Sequence, residues 1–104
     1  MDGVEAATKK RRRYRLRSGR CYELAGKYLL DDPTWTLVHG TARGRDGRIG
    51  HAWLVRGDTV YDATLDKSFP RANYVARYAA DAVTTYNAIE AARAMLVSRH
   101  WGPW

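Results

Sequence analysis

The apolar positions of the chain change their spacing several times, and each change predicts a new element. From residue 21 they recur at intervals of three and four residues, which is the spacing of one face of a helix. The recurring residues are Cys21, Leu24, Ala25, Tyr28 and Leu29. We expect a helix of about ten residues with Ser18 or Gly19 as its N-cap, because Asp31-Asp32-Pro33 ends the pattern.

Three stretches in the middle of the chain are rich in β-branched and aromatic residues, which is typical of strands. They are Trp35–His39, Ile49–Val55 and Thr59–Asp62. Arg56-Gly57-Asp58 has turn chemistry, so the second and third stretches predict a β-hairpin. Residues 43–48 are rich in glycine and arginine and are predicted to be a turn between strands. They lack the GxxxxGK[ST] pattern of a phosphate-binding loop.

In the last third of the chain the apolar residues follow a helical spacing in some stretches and a strand pattern in another. We expect a loop over 65–70, a short helix over 71–80 and a fourth strand over 82–86. Asn87 and Glu90 have the spacing of a capping box and predict a closing helix that runs to about Ser98. The predicted fold class is therefore α+β: the Cys21 helix packs on a small antiparallel sheet of about three or four strands, together with a C-terminal helix.

Composition limits the class of protein. The chain has 104 residues, of which 45% are hydrophobic and 12% aromatic, as expected for one globular domain. Its one cysteine excludes an intrachain disulfide and zinc sites built on paired cysteines, and it suits a reducing compartment. There is no apolar run of about 18 residues, and we expect no secretory signal because no apolar segment follows the basic residues near the start. We expect a cytoplasmic protein of bacterial or phage type without membrane association.

Basic residues are concentrated at the beginning of the chain. Eight of the 18 Lys and Arg residues lie in the first 20 positions, and the remaining chain is nearly balanced in charge. The predicted binding arm contains Lys9, Lys10, Arg11, Arg12, Arg13, Arg15 and Arg17. We expect residues 1–18 to form a flexible arm and residues 19–104 to form the domain. The arm is either a solvated tail, a binding site for nucleic acid or an acidic protein surface, or an extension that guides acidic substrates.

Three residues have the types and settings that nucleophilic catalysis requires. Cys21 lies in the first turn of a predicted helix, where free backbone N–H groups and the helix dipole favour a thiolate and can stabilise an oxyanion. His51 lies early on one strand of the hairpin and Asp62 ends the other, so their side chains can meet. Each also has a structural alternative: a small buried side chain for Cys21, a core histidine for His51 and a turn residue for Asp62.

The cysteine, the histidine and the aspartate each lie in a longer segment that has a counterpart in a known family. The matching segments are Arg20-Cys21-Tyr22-Glu23-Leu24-Ala25, His51-Ala52-Trp53-Leu54-Val55 and Val60-Tyr61-Asp62-Ala63-Thr64. They resemble three segments of transglutaminase-like domains, a branch of the papain-like cysteine hydrolase superfamily, here in a minimal single-domain form. The resemblance covers roughly residues 19–66. Ala63 stands where that family often has proline, and Thr59-Val60 replaces an aromatic residue that often precedes the aspartate.

The resemblance implies a triad in which Cys21 is the nucleophile, His51 the general base and acid, and Asp62 the group that orients the imidazole. The residues expected to support the site or its oxyanion hole are Arg20, Tyr22 and Trp53. The implied activity is that of a cysteine-dependent amide hydrolase or acyltransferase, of protease, deamidase or transglutaminase type. It would act on a protein or peptide-like amide through a thioester, without a cofactor.

Other assignments compete with this one. His39 and His100 are alternative bases, but neither is followed by a carboxylate at strand spacing. A metal site that includes His39, His51 and Asp62 is disfavoured, because no His-x₃-His or helical ligand pair is present. The alternative function is a catalytically silent transglutaminase-like adaptor or inhibitor, phage-encoded, whose basic arm binds nucleic acid or an acidic protein.

Overall fold

Five strands form one antiparallel sheet in the computed structural model, which describes residues 20–104. The elements in chain order are α1 (Arg20–Asp31), β1 (Thr36–Gly44), β2 (Gly47–Arg56), β3 (Thr59–Asp62), β4 (Lys67–Pro70), α2 (Arg71–Tyr78), β5 (Asp81–Tyr86) and α3 (Ala88–Ser98). The strands lie in the order β4-β3-β2-β1-β5. The predicted α+β class is confirmed, with a helix at each end of the described residues.

The sheet has more strands than the sequence predicted. Residues 65–70 were expected to be a loop, but β4 pairs with β3 and brings Phe69 opposite Val60. Phe69 is the only strongly apolar residue of β4, so the strand carries no alternating pattern that the sequence could reveal. Pro70 is compatible with this position because β4 lies at the edge of the sheet, where a missing N–H donor is tolerated.

The connection between β1 and β2 is also shorter than expected. The two strands stay paired from Thr36 opposite Val55 to Gly44 opposite Gly47, so only Arg45 and Asp46 remain between them. The prediction of a loop over residues 43–48 was therefore too long. The predicted N-caps of α1, Ser18 and Gly19, lie outside the described residues. The capping box of α3 is confirmed: Asn87 accepts from the Glu90 N–H, and Glu90 accepts from the Asn87 N–H.

Each face of the sheet carries its own apolar core. One core joins α1 and α3 to the sheet, and its members include Leu29, Leu37 and Leu54. The other lies under α2 and consists of Val38, Trp53, Val60, Phe69 and Tyr74. Successive side chains of a strand point to opposite faces, so neighbouring residues of β1 and β2 belong to different cores. Among the helices of residues 20–104, none is both long and apolar enough to span a membrane.

Candidate active site

His51, Asp62 and Tyr74 form a buried hydrogen-bonded group beside the sheet. The Nε2 atom of His51 lies 2.9 Å from Oδ2 of Asp62 and 3.1 Å from the hydroxyl of Tyr74. The Tyr74 hydroxyl also donates to Oδ2 of Asp62 at 2.7 Å. All three side chains are at most 2% exposed. The histidine and the aspartate that the sequence singled out are therefore in direct contact.

The β2–β3 hairpin explains this contact. The ladder pairs Leu54 with Tyr61, and its continuation by one residue places Asp62 across from Trp53. His51 lies two residues before Trp53 on the same face, so Asp62 is its diagonal neighbour across the two strands. Diagonal neighbours on a sheet are within reach of long side chains, and here an imidazole and a carboxylate span the gap. Trp53 packs beside the pair, with its ring 5.8 Å from that of His51.

Both carboxylate oxygens of Asp62 have hydrogen-bond donors. Oδ1 accepts from the backbone N–H groups of Thr64 at 2.9 Å and Leu65 at 3.1 Å, where the chain turns after β3. Oδ2 is shared by His51 and Tyr74. A buried carboxylate with this many donors is held in one orientation, because any rotation would break several bonds.

The group favours a charged histidine. Burial alone would lower the pKa of His51, but the hydrogen bond to Asp62, the Cys21 side chain and the charge of Asp62 together raise it to about 9. Burial pushes the pKa of Asp62 upward, but the hydrogen bond and charge of His51, followed by the Tyr74 hydroxyl, bring it below its usual value. The two shifts have one cause: imidazolium and carboxylate stabilise each other in a site with little water.

Cys21 approaches this pair from α1. It is the second residue of the helix and is fully buried in the core that contains Leu37 and Leu54. Hydrogen bonding and charge from Cys21 are among the causes that raise the pKa of His51. Nδ1 of His51 nevertheless completes no hydrogen bond with any residue that the structure describes. Cys21 therefore acts on the imidazole without a completed hydrogen bond to Nδ1.

The three expected supporting residues have different surroundings. Trp53 is buried and packs between His51 and Tyr74, whose ring lies 5.7 Å away. Tyr22 is buried on the other face of the sheet, where its ring meets that of His39 edge-on at 4.9 Å. Arg20 is exposed, and its guanidinium lies 4.0 Å from the Glu23 carboxylate. Of the three, only Trp53 has a ring against the imidazole of His51.

Within residues 20–104, neither competing histidine has a carboxylate partner. His39 is buried, and both of its ring nitrogens lack a hydrogen-bond partner among the described residues. His100 is exposed in the tail, where Nδ1 accepts from the N–H of Gly102 at 3.1 Å. Within residues 20–104 there is no group of three or more His, Cys, Asp or Glu side chains that could hold a metal ion. The predicted basic arm over Lys9–Arg17 lies outside the described residues.

Sequence reasoning missed Tyr74. This residue comes from α2, 12 positions after Asp62, and its hydroxyl touches both members of the pair. The sequence held no motif for it, because a tyrosine at helical spacing is most often only part of a core. No family model, curated protein or solved structure matches the chain. The geometry of the site is therefore the basis from which a function can be inferred.

Proposed function

We propose that the protein is a cysteine-dependent amide hydrolase or acyltransferase in which Cys21, His51 and Asp62 act as nucleophile, base and orienting carboxylate. The observation that carries this proposal is the buried His51–Asp62 pair, with Nε2 held by the carboxylate at 2.9 Å and Nδ1 left without a partner among the described residues. The other buried histidine, His39, differs because neither of its ring nitrogens has a partner among the described residues, so no carboxylate orients its ring. One oriented nitrogen and one open nitrogen are what a general base needs.

The reaction follows from this arrangement. The Cys21 thiol gives its proton to Nδ1 of His51, and the sulfur attacks the carbonyl carbon of an amide. The imidazolium then returns that proton to the departing amine, the C–N bond breaks, and a thioester on Cys21 remains. Water or a second amine attacks the thioester and gives a proton to His51, which passes it to the sulfur. The pKa of about 9 favours the imidazolium form of His51, which is the product of the first transfer and the acid for the second.

The position of Cys21 in α1 supports the same chemistry. The first turn of a helix presents backbone N–H groups that have no partner within the helix. These groups and the positive end of the helix dipole stabilise negative charge, on the sulfur or on the oxygen of the tetrahedral intermediate. Since Cys21 is fully buried, a substrate carbonyl reaches the sulfur only when the residues that cover it move.

Thioester formation gives a direct test. The folded protein is incubated with peptide amides and with acyl probes, and the mass of the intact chain is measured before and after hydroxylamine treatment. We expect a hydroxylamine-sensitive adduct on Cys21 that is absent from Cys21→Ser and reduced about 10²–10⁴-fold in His51→Ala. His39→Ala is the matched control, because it removes a buried imidazole that has no contact with Asp62 and should retain the adduct.

The second candidate function is the silent adaptor, and the full burial of Cys21 is the observation that favours it. In that case iodoacetamide labels Cys21 only after unfolding, and the labelling rate of the folded protein does not depend on His51. The hydrolase predicts the opposite: labelling of the folded protein well below pH 8, with a higher pH required in His51→Ala. A folded thiol that stays unreactive would rule out catalysis by this triad.

A further inference from the structure

The hydroxyl of Tyr74 occupies a position that packing alone does not require. The ring of Tyr74 lies among Trp53, Phe69 and Tyr78, at centroid distances of 5.7, 5.2 and 5.1 Å. A phenylalanine would make the same ring contacts without the cost of burying a hydroxyl group. The hydroxyl instead reaches Asp62 at 2.7 Å and His51 at 3.1 Å. A buried hydroxyl is costly unless it is paired, so its two partners identify what it does.

The hydrogen positions in this group can be worked out from the donors and acceptors. Oδ2 of an ionised Asp62 can only accept, so the hydroxyl proton of Tyr74 and a proton on Nε2 of His51 must both point at it or near it. The Tyr74 oxygen, which lies 3.1 Å from Nε2, then faces that N–H as a second acceptor. A neutral His51 therefore carries its proton on Nε2, and the lone pair lies on Nδ1, the nitrogen that remains for Cys21.

We propose that Tyr74 is a positioning residue of the active site, whose hydroxyl fixes the Nε2–H tautomer of His51 and stabilises the imidazolium–carboxylate pair. The hydroxyl dipole has its positive end on the Asp62 carboxylate and its negative end towards the imidazole. Both ends favour the charged state of the pair. This inference builds on the proposed function, since the pair it stabilises is the one that would serve Cys21.

The surroundings of His51 leave few other groups that could produce the same effect. Among the described residues, the titratable side chains that act on it come from three elements: Cys21 from α1, Asp62 from the end of β3 and Tyr74 from α2. On β1 the residue opposite His51 is Gly40, which has no side chain to contribute. Tyr78 packs against the ring of Tyr74 at a centroid distance of 5.1 Å, and no hydrogen bond joins it to His51 or Asp62. A change at the Tyr74 hydroxyl should therefore be visible in the titration of His51.

The test is the substitution Tyr74→Phe, read by NMR titration of the His51 ring nitrogens. Loss of a hydrogen bond within a charged pair should lower the pKa of His51 by about one pH unit from its value near 9. The neutral form should also show a larger share of the Nδ1–H tautomer. The matched control is Tyr78→Phe, which removes the same hydroxyl one turn later on α2 and should leave the titration unchanged.

These measurements separate the inference from the proposed function. If the titration shifts but no thioester forms in any variant, the positioning role stands and the catalytic proposal fails. If thioester formation is found and the titration of Tyr74→Phe equals that of Tyr78→Phe, the positioning role is wrong. Should Tyr74→Phe not fold, the unaltered protein supplies the answer: a downfield hydroxyl proton of Tyr74 must move as His51 titrates, and a hydroxyl signal that does not respond contradicts the inference.

Discussion

His39 and His51 are the two buried histidines of the described residues, and they differ in every respect that determines charge. They lie one position apart in the β1–β2 ladder, since His39 pairs with Ala52 and Gly40 pairs with His51. They point to opposite faces of the sheet. His51 meets a carboxylate and a hydroxyl, and its pKa is raised to about 9. Among the described residues, the side chains around the His39 imidazole are aromatic rings, and burial lowers the pKa of His39 to about 4.

The rings around His39 belong to Tyr22, Tyr86 and Trp104, at centroid distances of 4.9, 5.0 and 4.9 Å. They pack well against a neutral imidazole but offer its nitrogens no hydrogen bond in the described residues. Burial alone therefore does not decide the state of a histidine. A partner that compensates for lost water makes His51 a charged, oriented group, whereas His39 serves as an apolar side chain.

The same substitution at the two sites should give very different stabilities. His51→Phe leaves the Asp62 carboxylate buried without its cation, and removal of one partner of a buried pair costs about 3–5 kcal/mol. His39→Phe loses no hydrogen bond to residues 20–104 and removes two buried nitrogens that have no partner there, so its free energy of unfolding should stay within about 1 kcal/mol of the parent or rise. Urea unfolding at pH 6 measures both values.

A control removes the carboxylate as well. The double variant His51→Phe with Asp62→Leu eliminates the uncompensated charge and should recover part of the stability lost in His51→Phe. Equal losses in the two single histidine variants would contradict the view that the partner, and not burial, sets the role of each histidine.

The pH dependence of stability should run in opposite directions for the two sites. The folded pKa of His51, about 9, lies above its ordinary value of 6.5, so its contribution is complete below pH 6.5 and is lost as the pH rises through 9. The shift corresponds to roughly 3 kcal/mol. The folded pKa of His39, about 4, lies below 6.5, so its contribution is present above pH 6.5 and is lost as the pH falls towards 4.

Urea unfolding of the parent, His51→Phe and His39→Phe at pH values from 4 to 9.5 separates the two contributions. The decline in stability on the alkaline side should disappear in His51→Phe and persist in His39→Phe. The acidic decline should become smaller in His39→Phe, where the lowered pKa of Asp62 still contributes. An alkaline decline of unchanged size in His51→Phe would show that another group causes it.

The contrast between His51 and His39 also shows which features of the fold and the site could be predicted from the sequence. The helix at Cys21 and the His51–Asp62 contact followed from apolar spacing and from hairpin pairing, because both are local rules. The environment of His39 did not follow, since its rings come from α1, β5 and the tail, and their meeting is a result of tertiary packing. Tyr74 and β4 were missed for the same reason. Phe69 of β4 pairs with Val60, and the Tyr74 hydroxyl bonds to Asp62, so both depend on β3 being in place.

Gly50 lies between the two histidine environments, and its substitution should change the free energy of unfolding least among the expected effects. It precedes His51 on β2 and lies on the face of His39, where an added Cβ would be 2.7 Å from the hydroxyl of Tyr22. Tyr22 follows Cys21 in α1 and is buried, so moving its side chain away from the added Cβ would disturb the packing around it. Gly50→Ala should lower the free energy of unfolding by about 1–2 kcal/mol through overpacking.

A second substitution identifies the atom responsible. In Tyr22→Phe the contacting hydroxyl is absent, so Gly50→Ala should become nearly neutral, and the coupling between the two changes should equal most of the original loss. Because the contact lies on the His39 face, the NMR titration of His51 should stay the same in all four proteins of the cycle. A His51 pKa that moves with Gly50→Ala would mean that α1 carries the strain across to the Cys21 side, and that the two faces are not independent.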